Sequence, residues 1–296
     1  MKIQSASLDI PGSCPNQCKF CVSEIWHNQS DMLNNVFKFD TPAIEDWVRR
    51  AFTERLLYLK QLGVNTLVLT GTASEPLFNE KYIKFFHEVN QSFKDNKFVN
   101  IEVQTSGVGL SDEKLWLMDL VGVKTVSLSL ASLDDETNFQ IMQTPEKLKL
   151  SIFETCNYIK SNGFNLRLSL NINKTGFDHY DSFDNLFRDC KNLKADQVTF
   201  RKLYATDKDS AENNWIKENE MNGEWWYRLN TYIYYSGRTL NRLPFGAMKS
   251  SICGMSTVVD EDCMNKASAK EDLKYMILRR NCKLYSEWDD LASLIF

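Results

Sequence analysis

Three cysteines stand close together near the front of the chain: Cys14, Cys18 and Cys21, with three and then two residues between them. They follow a short apolar run of Ala6, Leu8 and Ile10 and a turn signal at Pro11-Gly12, so all three thiols fall on one compact loop leaving a strand. Such a loop can wrap around a single inorganic centre. A cubane iron–sulfur cluster takes thiolates on its irons. With three thiols in the loop and no fourth cysteine nearby in sequence, one iron would be left open to another ligand. Zinc held by the three cysteines and His27 uses the same residue types. So does a disulfide pair in an exported protein, and thiols can also stand together without a role. Zinc sites more often pair a C-x2-C unit with a second such knuckle, and no second unit occurs here.

Other familiar chemistries lack their residues. The histidines are His27, His87 and His179; His87 falls inside a helical run and His179 at a helix start, so a hydrolase built on a histidine base is poorly supported. No G-x4-G-K phosphate loop occurs. With 296 residues, 43% of them hydrophobic and 25% charged, the chain can bury a full core and has no disordered composition. A net charge of −4 gives no support to a broadly basic nucleic-acid surface. The N-terminal residues lack the apolar core of a signal peptide and no run reaches membrane-spanning length, so a soluble, cytoplasmic protein is expected. There, cysteines serve as metal ligands or buried thiols before they form disulfides.

The elements that must position the cysteine loop follow a repeat. Thr41-Pro42 reads as a cap and first turn, and Ile44, Val48, Phe52, Leu56 and Leu59 recur at helical spacing up to a stop at Gly63. Thr66–Thr70 is an apolar strand of the kind covered on both faces in a parallel sheet. Helix 79–94, strand 99–104, helix 111–121, strand 125–130, helix 146–162, strand 166–172, a helix around 179–190 and strand 197–200 continue the alternation. With the strand before the cysteines this makes six β/α steps, a partial (β/α)6 TIM-like barrel open where two further strands would close it. Active sites of such barrels lie at the C-terminal ends of the strands, which is where the cysteine loop falls. At the same ends stand Gly71, Ser74 and Glu75 after the second strand, Thr105-Ser106-Gly107 after the third, Ser127 and Ser129 on one face of the fourth, Asn171 and Asn173 after the fifth, and Arg201 after the sixth. Short polar side chains there can bond ribose hydroxyls and an arginine can pair with a carboxylate; strand-end solvation explains the same residues.

The cysteine spacing, with Phe20 directly before the last thiol, resembles the cluster loop of the radical S-adenosylmethionine (SAM) enzymes, and the resemblance covers about residues 5–203. It implies a partial barrel with a [4Fe-4S] cluster on Cys14, Cys18 and Cys21, whose open iron takes the amino and carboxylate groups of SAM. Gly71-Thr72-Ala73-Ser74-Glu75-Pro76 looks like that family's glycine-glycine-glutamate element, with one glycine kept and Ala73-Ser74 where a glycine is common. By the same resemblance Glu75 holds the SAM amino group, Phe20 packs by the adenine, and Ser129, Asn171 and Arg201 are SAM contacts. An electron donor such as flavodoxin or ferredoxin is implied as partner. A small metabolite or nucleoside-like substrate is expected, since no separate peptide-recognition domain is visible. A glycyl-radical activating or peptide-modifying enzyme is the alternative within the class, and a non-catalytic zinc or iron–sulfur module the alternative outside it.

From residue 204 the repeat stops. Residues 204–296 are expected as a C-terminal extension that covers the barrel of residues 1–203 and shapes the substrate site. Trp225, Leu229, Tyr232 and Ile233 are spaced as the inner face of a helix, with stacking on a planar substrate as the sharper reading. Cys253, Cys263 and Cys282 follow no compact ligand pattern, so a second cluster competes with incidental thiols; Cys282 lies at an expected hairpin turn. The apolar ending Leu291, Leu294, Ile295 and Phe296 is expected to dock on the body.

Overall fold

The computed structural model describes residues 2–22, 42–243, 247–261, 272–288 and 290–296. Strands β1 (Lys2–Asp9), β2 (Thr66–Thr70), β3 (Asn100–Thr105), β4 (Val123–Leu130), β5 (Asn165–Ile172) and β6 (Gln197–Lys202) pair in chain order, every pair parallel. The connecting helices are α1 (Pro42–Gln61), α2 (Glu80–Ser92), α3 (Asp112–Val121), α4 (Asp135–Met142), α5 (Ile152–Ser161) and α6 (Phe183–Asn192). Strand parity decides which face they cover. Leu8, Leu69, Val103, Leu128, Leu168 and Phe200 are fully or almost fully buried in one core with Phe52, Phe86 and Phe187 of the helices. Each such side chain contributes about 1.5–3 kcal/mol by leaving water. The alternate residues are the polar ones, Ser7, Thr70, Gln104, Ser129, Asn171 and Arg201, so the other face of the sheet is a polar lumen.

Helix ends follow local chemistry. The hydroxyl of Ser111 accepts from Lys114 N and that of Ser151 from Glu154 N, each at 3.4 Å. Gly63 closes α1 in the left-handed region at φ 80°, as its position after Leu62 suggests. Thr41 lies outside the described residues.

Three features differ from the sequence reading. The helix expected over 146–162 is α5, which starts at Ile152 after a single 3-10 turn at Glu146–Leu148. Before it stands α4, which the reading passed over; Asp134 caps it by accepting from Thr137 N at 2.8 Å. The last third of the chain does more than cover the barrel. After α7 (Ala211–Asn219) and α8 (Gly223–Ser236) come β7 (Arg238–Arg242), β8 (Met248–Ile252), β9 (Met255–Asp260), β10 (Asp272–Leu278) and β11 (Leu284–Tyr285). β9 pairs parallel with β6 and β10 parallel with β1, so the parallel run reads β10-β1-β2-β3-β4-β5-β6-β9. The antiparallel β11 and the β8-β7 hairpin finish its two edges.

The aromatic run of α8 packs as the core reading expects: Trp225, Leu229 and Ile233 are buried and Trp225 meets Phe183 at 5.4 Å, away from the barrel mouth. The C-terminus is docked, with Phe296 against Tyr58 at 5.3 Å and the Arg55 guanidinium over its ring at 4.2 Å. Among the described residues no helix is long and apolar enough to cross a membrane.

Candidate functional site

The cysteine loop leaves the C-terminal end of β1 and is strapped to the end of α4. Lys19 N donates to Ile141 O at 3.0 Å and Gln17 N to Gln143 O at 3.4 Å, and Gln143 adopts the left-handed conformation that turns its carbonyl toward the loop region. Within the loop Cys21 N donates to Cys18 O at 3.0 Å. Cys18 Sγ lies 3.7 Å from Met142 Sδ, and Phe20 packs on Trp215 of α7 with ring centroids 6.2 Å apart. An apolar wall from β4, α4 and α7 therefore backs the thiols. Cys14, Cys18 and Cys21 carry no disulfide. Burial, followed by the proximity of Cys21 and Cys14, pushes the Cys18 thiol well above its ordinary value. Left alone, Cys18 resists ionising; a bound cationic centre reverses that preference, because coordination holds thiols as thiolates.

Opposite the thiols stands the loop after β2, built on small residues. A Cβ at Gly71 would come within 2.0 Å of Ser74 Oγ and 2.6 Å of Ser74 O, so only glycine allows the loop to fold back on itself. Ser74 Oγ donates to Ile10 O at 2.5 Å, so its hydroxyl ties the loop to the strand that leads into the cysteines. Glu75 N donates to Ser13 O at 3.1 Å, joining the two loops directly.

Glu75 itself is 3% exposed. Its Oε2 accepts from Ser106 N at 2.9 Å and Ser106 Oγ at 2.7 Å, while its Oε1 is buried with no partner. Burial raises its carboxyl above the ordinary value, against the opposing pull of the nearby Thr105 hydroxyl, of Ser106 and of the Leu77 backbone; Thr105 acts on the carboxylate without forming a hydrogen bond to Oε1. A half-satisfied buried carboxylate costs free energy until a donor arrives, and an ammonium group is the donor that suits it best.

Most of the remaining candidates complete one concave surface; Gly107, Ser127 and Asn173 do not line it, Asn173 being buried with its Nδ2 donating to Ala131 O at 2.8 Å. Cys14, Cys18, Cys21, Phe20, Gly71, Ser74, Glu75, Thr105, Ser129, Asn171 and Arg201 all line a single cavity of about 310 Å³ at the strand ends. Within it Thr105 Oγ1 accepts from Gly107 N at 2.9 Å, Asn171 Nδ2 reaches Leu130 O at 3.4 Å, and the Arg201 Nε is buried without a partner. The same cavity includes Ser106, named with the third strand end, and residues that sequence reasoning missed: Asn16, with both amide atoms buried and unpartnered, and Tyr204, Arg279 and Trp288 from the last third of the chain. None of the missed residues carried a sequence signal for this site.

Behind the cavity lies a further missed residue. Arg280, 8% exposed in the β10-β11 turn, makes an ion pair with Asp9, 1% exposed at the end of β1, at 3.3 Å. Its Nη2 donates to Ser74 Oγ at 3.1 Å, to Ile10 O at 3.4 Å and to Thr72 O. Asp9 Oδ1 in turn accepts from Thr72 N at 2.8 Å. One guanidinium thus clamps both loops from the rear.

The other described cysteines do not line this cavity. Cys253 is exposed in the turn before β9, at the N-terminal end of the parallel run, and Cys282 is buried in the turn after β10, at its C-terminal end. The two do not converge on one centre; Cys263 and His27 lie outside the described residues. Among the described residues no three His, Cys, Asp or Glu side chains close around a single ion position. A cluster does not require that, since each thiolate takes a different iron. The set therefore suits a cubane: three thiols on one loop, an apolar backing wall, and an orphaned carboxylate oxygen in the same cavity.

Neither a family model nor a curated relative matches the chain. Solved structures do. SuiB of Streptococcus suis bound to the precursor peptide SuiA aligns at TM-score 0.54 and 13% identity over 96% of this chain, and SuiB bound to S-adenosylmethionine at 0.55, 13% and 95%. The chain spans 59% of the length of SuiB in the peptide complex. Native anSMEcpe with bound AdoMet and Kp18Cys peptide aligns at 0.62 and 10% identity, over 98% of this chain and 75% of that one. At the level of backbone architecture, the chain has the fold of the radical SAM enzymes, a partial barrel of parallel β/α steps.

Proposed function

We propose that this chain is a radical SAM enzyme acting on a small substrate at the barrel mouth. The observation that carries the reading is the buried, unpartnered Glu75 Oε1 in the same cavity as three loop cysteines. When bound, a reduced [4Fe-4S] cluster supplies an electron that cleaves SAM to methionine and a hydrogen-abstracting 5′-deoxyadenosyl radical, chemistry that belongs to the cofactors. Cys14, Cys18 and Cys21 would hold the cluster. Glu75 would accept from the SAM ammonium with its free oxygen while Ser106 fixes the other. Phe20 would pack by the adenine, Gly71 would let the loop approach closely, and Ser74 would hold the loop to β1. Thr105, Ser129, Asn171 and Arg201 would meet the ribose and carboxylate. Residues 204–296 would complete the substrate site, a role supported by Tyr204, Arg279 and Trp288 in the cavity wall.

An electron donor such as flavodoxin or ferredoxin would reduce the cluster. The absence of disulfides among the described cysteines suits the reducing cytoplasm where such donors work. A peptide substrate is the second reading, favoured by the peptide complexes of SuiB and anSMEcpe. Anaerobic reconstitution with iron and sulfide, followed by SAM and dithionite, tests the proposal. 5′-Deoxyadenosine and methionine should form in equal amounts in the wild type and not in Cys18→Ala. A reconstituted protein that binds SAM and yields neither product would overturn it.

A further inference from the structure

Below the mouth the lumen holds a second cavity of about 250 Å³. It abuts the first through Gln104, Arg201 and Trp288, which line both. Among the described residues its charges do not balance internally. Arg167 and Glu102 form an ion pair, and the Arg167 guanidinium also donates to Gln197 Oε1 at 3.0 Å and 2.8 Å, so that pair is neutral and satisfied. Arg201 and Lys249 remain against Asp260. The Nε of Arg201 is buried with no partner. Lys249 points into the same space because it pairs across β8-β9 with Val258, a lumen-facing residue, and it forms no ion pair or hydrogen bond among the described residues. Asp260, 5% exposed, sits opposite Arg201 in the β6-β9 register and has a partner of its own. Among the described lining residues one positive charge is thus in surplus, on half-buried side chains in a half-open polar cavity, and a cleft of one sign draws counter-ions.

We infer that the lumen cavity binds a small organic anion, whose carboxylate or phosphate is held by Lys249, with Arg201, which borders both cavities, between this anion and the SAM carboxylate; resting on the reading above, this anion is the substrate's recognition group. Gln104 and Gln197 supply further hydrogen-bonding groups, and Tyr275 and Trp288, 6.3 Å apart, close the apolar side. The volume lies below the range of about 300–1,000 Å³ that drug-sized ligands occupy. A compact metabolite is therefore the class that fits, entering from the mouth and leaving its far end beside the first cavity.

The test uses reconstituted holoprotein with inorganic phosphate and, separately, malonate as probes, each against sodium chloride of matched ionic strength. Binding is followed by Trp fluorescence and by the thermal midpoint. At least one anion should bind saturably in the millimolar range, and Lys249→Met should weaken it about tenfold, the size expected for one charged hydrogen bond. Lys249→Arg should restore it, and Lys217→Met, exposed on α7, should leave it unchanged. Preference for phosphate or for malonate identifies the anion's chemistry, and either supports the site. Midpoints that follow chloride, or equal binding to Lys249→Met, would overturn it as a plain polar core. 5′-Deoxyadenosine formation is measured on the same samples: turnover without anion binding refutes this site alone, whereas Lys249-dependent binding without turnover supports the site and refutes the radical SAM reading.

Discussion

Removing Arg280 should damage the cofactor site from a distance, and the size of the effect can be worked from its contacts. Arg280→Ala leaves Asp9, 1% exposed, as an uncompensated buried charge, and removes the donor shared by Ile10 O, Thr72 O and Ser74 Oγ. Breaking a buried pair from one side costs about 3–5 kcal/mol, and the lost carbonyl bonds overlap with that figure because they belong to one network. The thermal midpoint should fall by roughly 10 °C in a chain of this size. Arg280→Lys keeps the charge and loses the fork that reaches several acceptors, so it should recover about half the stability. Asp9→Asn with Arg280→Gln should be less damaging than the sum of the single changes. Both loops are held by the same guanidinium, so SAM affinity should fall in parallel while the iron content of the surviving folded fraction drops. Equilibrium unfolding of these five variants, the two single changes of the double included, with SAM binding on each, makes the measurement. An Arg280→Ala protein within about 1 kcal/mol of wild type, with unchanged SAM affinity, would refute the clamp.

Three further outcomes follow from the same geometry. Gly71→Ala should lose SAM binding and destabilise by about 1–3 kcal/mol, because the new Cβ meets Ser74 Oγ at 2.0 Å and Ser74 O at 2.6 Å; Ser74→Gly in that background removes only the hydroxyl clash and should rescue in part. SAM affinity should fall as pH drops through the Glu75 value, which burial holds above the ordinary 4.5, since only the carboxylate accepts from an ammonium. Glu75→Gln should flatten that pH dependence and weaken binding by about ten- to a hundredfold, measured by calorimetry across pH. Trp215→Ala should strip the packing partner from Phe20 and speed air bleaching of the cluster, at a cost of about 1–3 kcal/mol, followed by the decay of visible absorbance in air.

Much of this site is local in sequence, and that part was legible. The cysteine spacing, the turn at Pro11-Gly12 and the alternation through Gln197–Lys202 placed one loop at a barrel mouth and named strand-end residues that share one cavity. Ser127 and Ser129 could be assigned to a common face, but which face needed the packing of Val126, Leu128 and Leu130 onto the helices. α4 escaped because its eight residues, Asp135–Met142, are too short and too polar to show a period. β9 and β10 escaped for a different reason: no helical pattern separates them from their partners, and pairing of residues 272–278 with residues 2–8 is a long-range fact. Arg280 had no signal at all. Nothing about an arginine in a hairpin turn distinguishes it until burial shows it reaching Asp9.

The consequence is that the C-terminal third, which the repeat pattern set aside, frames the site from three directions: β9 and Lys249 at one edge, β10 and Arg280 behind the loops, and Trp288 between the two cavities. On the proposed reading the three thiols and Glu75 form one site for a cluster and SAM together. Electron paramagnetic resonance of the reconstituted, dithionite-reduced protein, with and without SAM, tests it most directly. A signal from a reduced four-iron cluster should appear, change on SAM addition, change less in Glu75→Gln and vanish in Cys18→Ala. One equivalent of zinc with no such signal, or a signal that SAM leaves untouched, would contradict it.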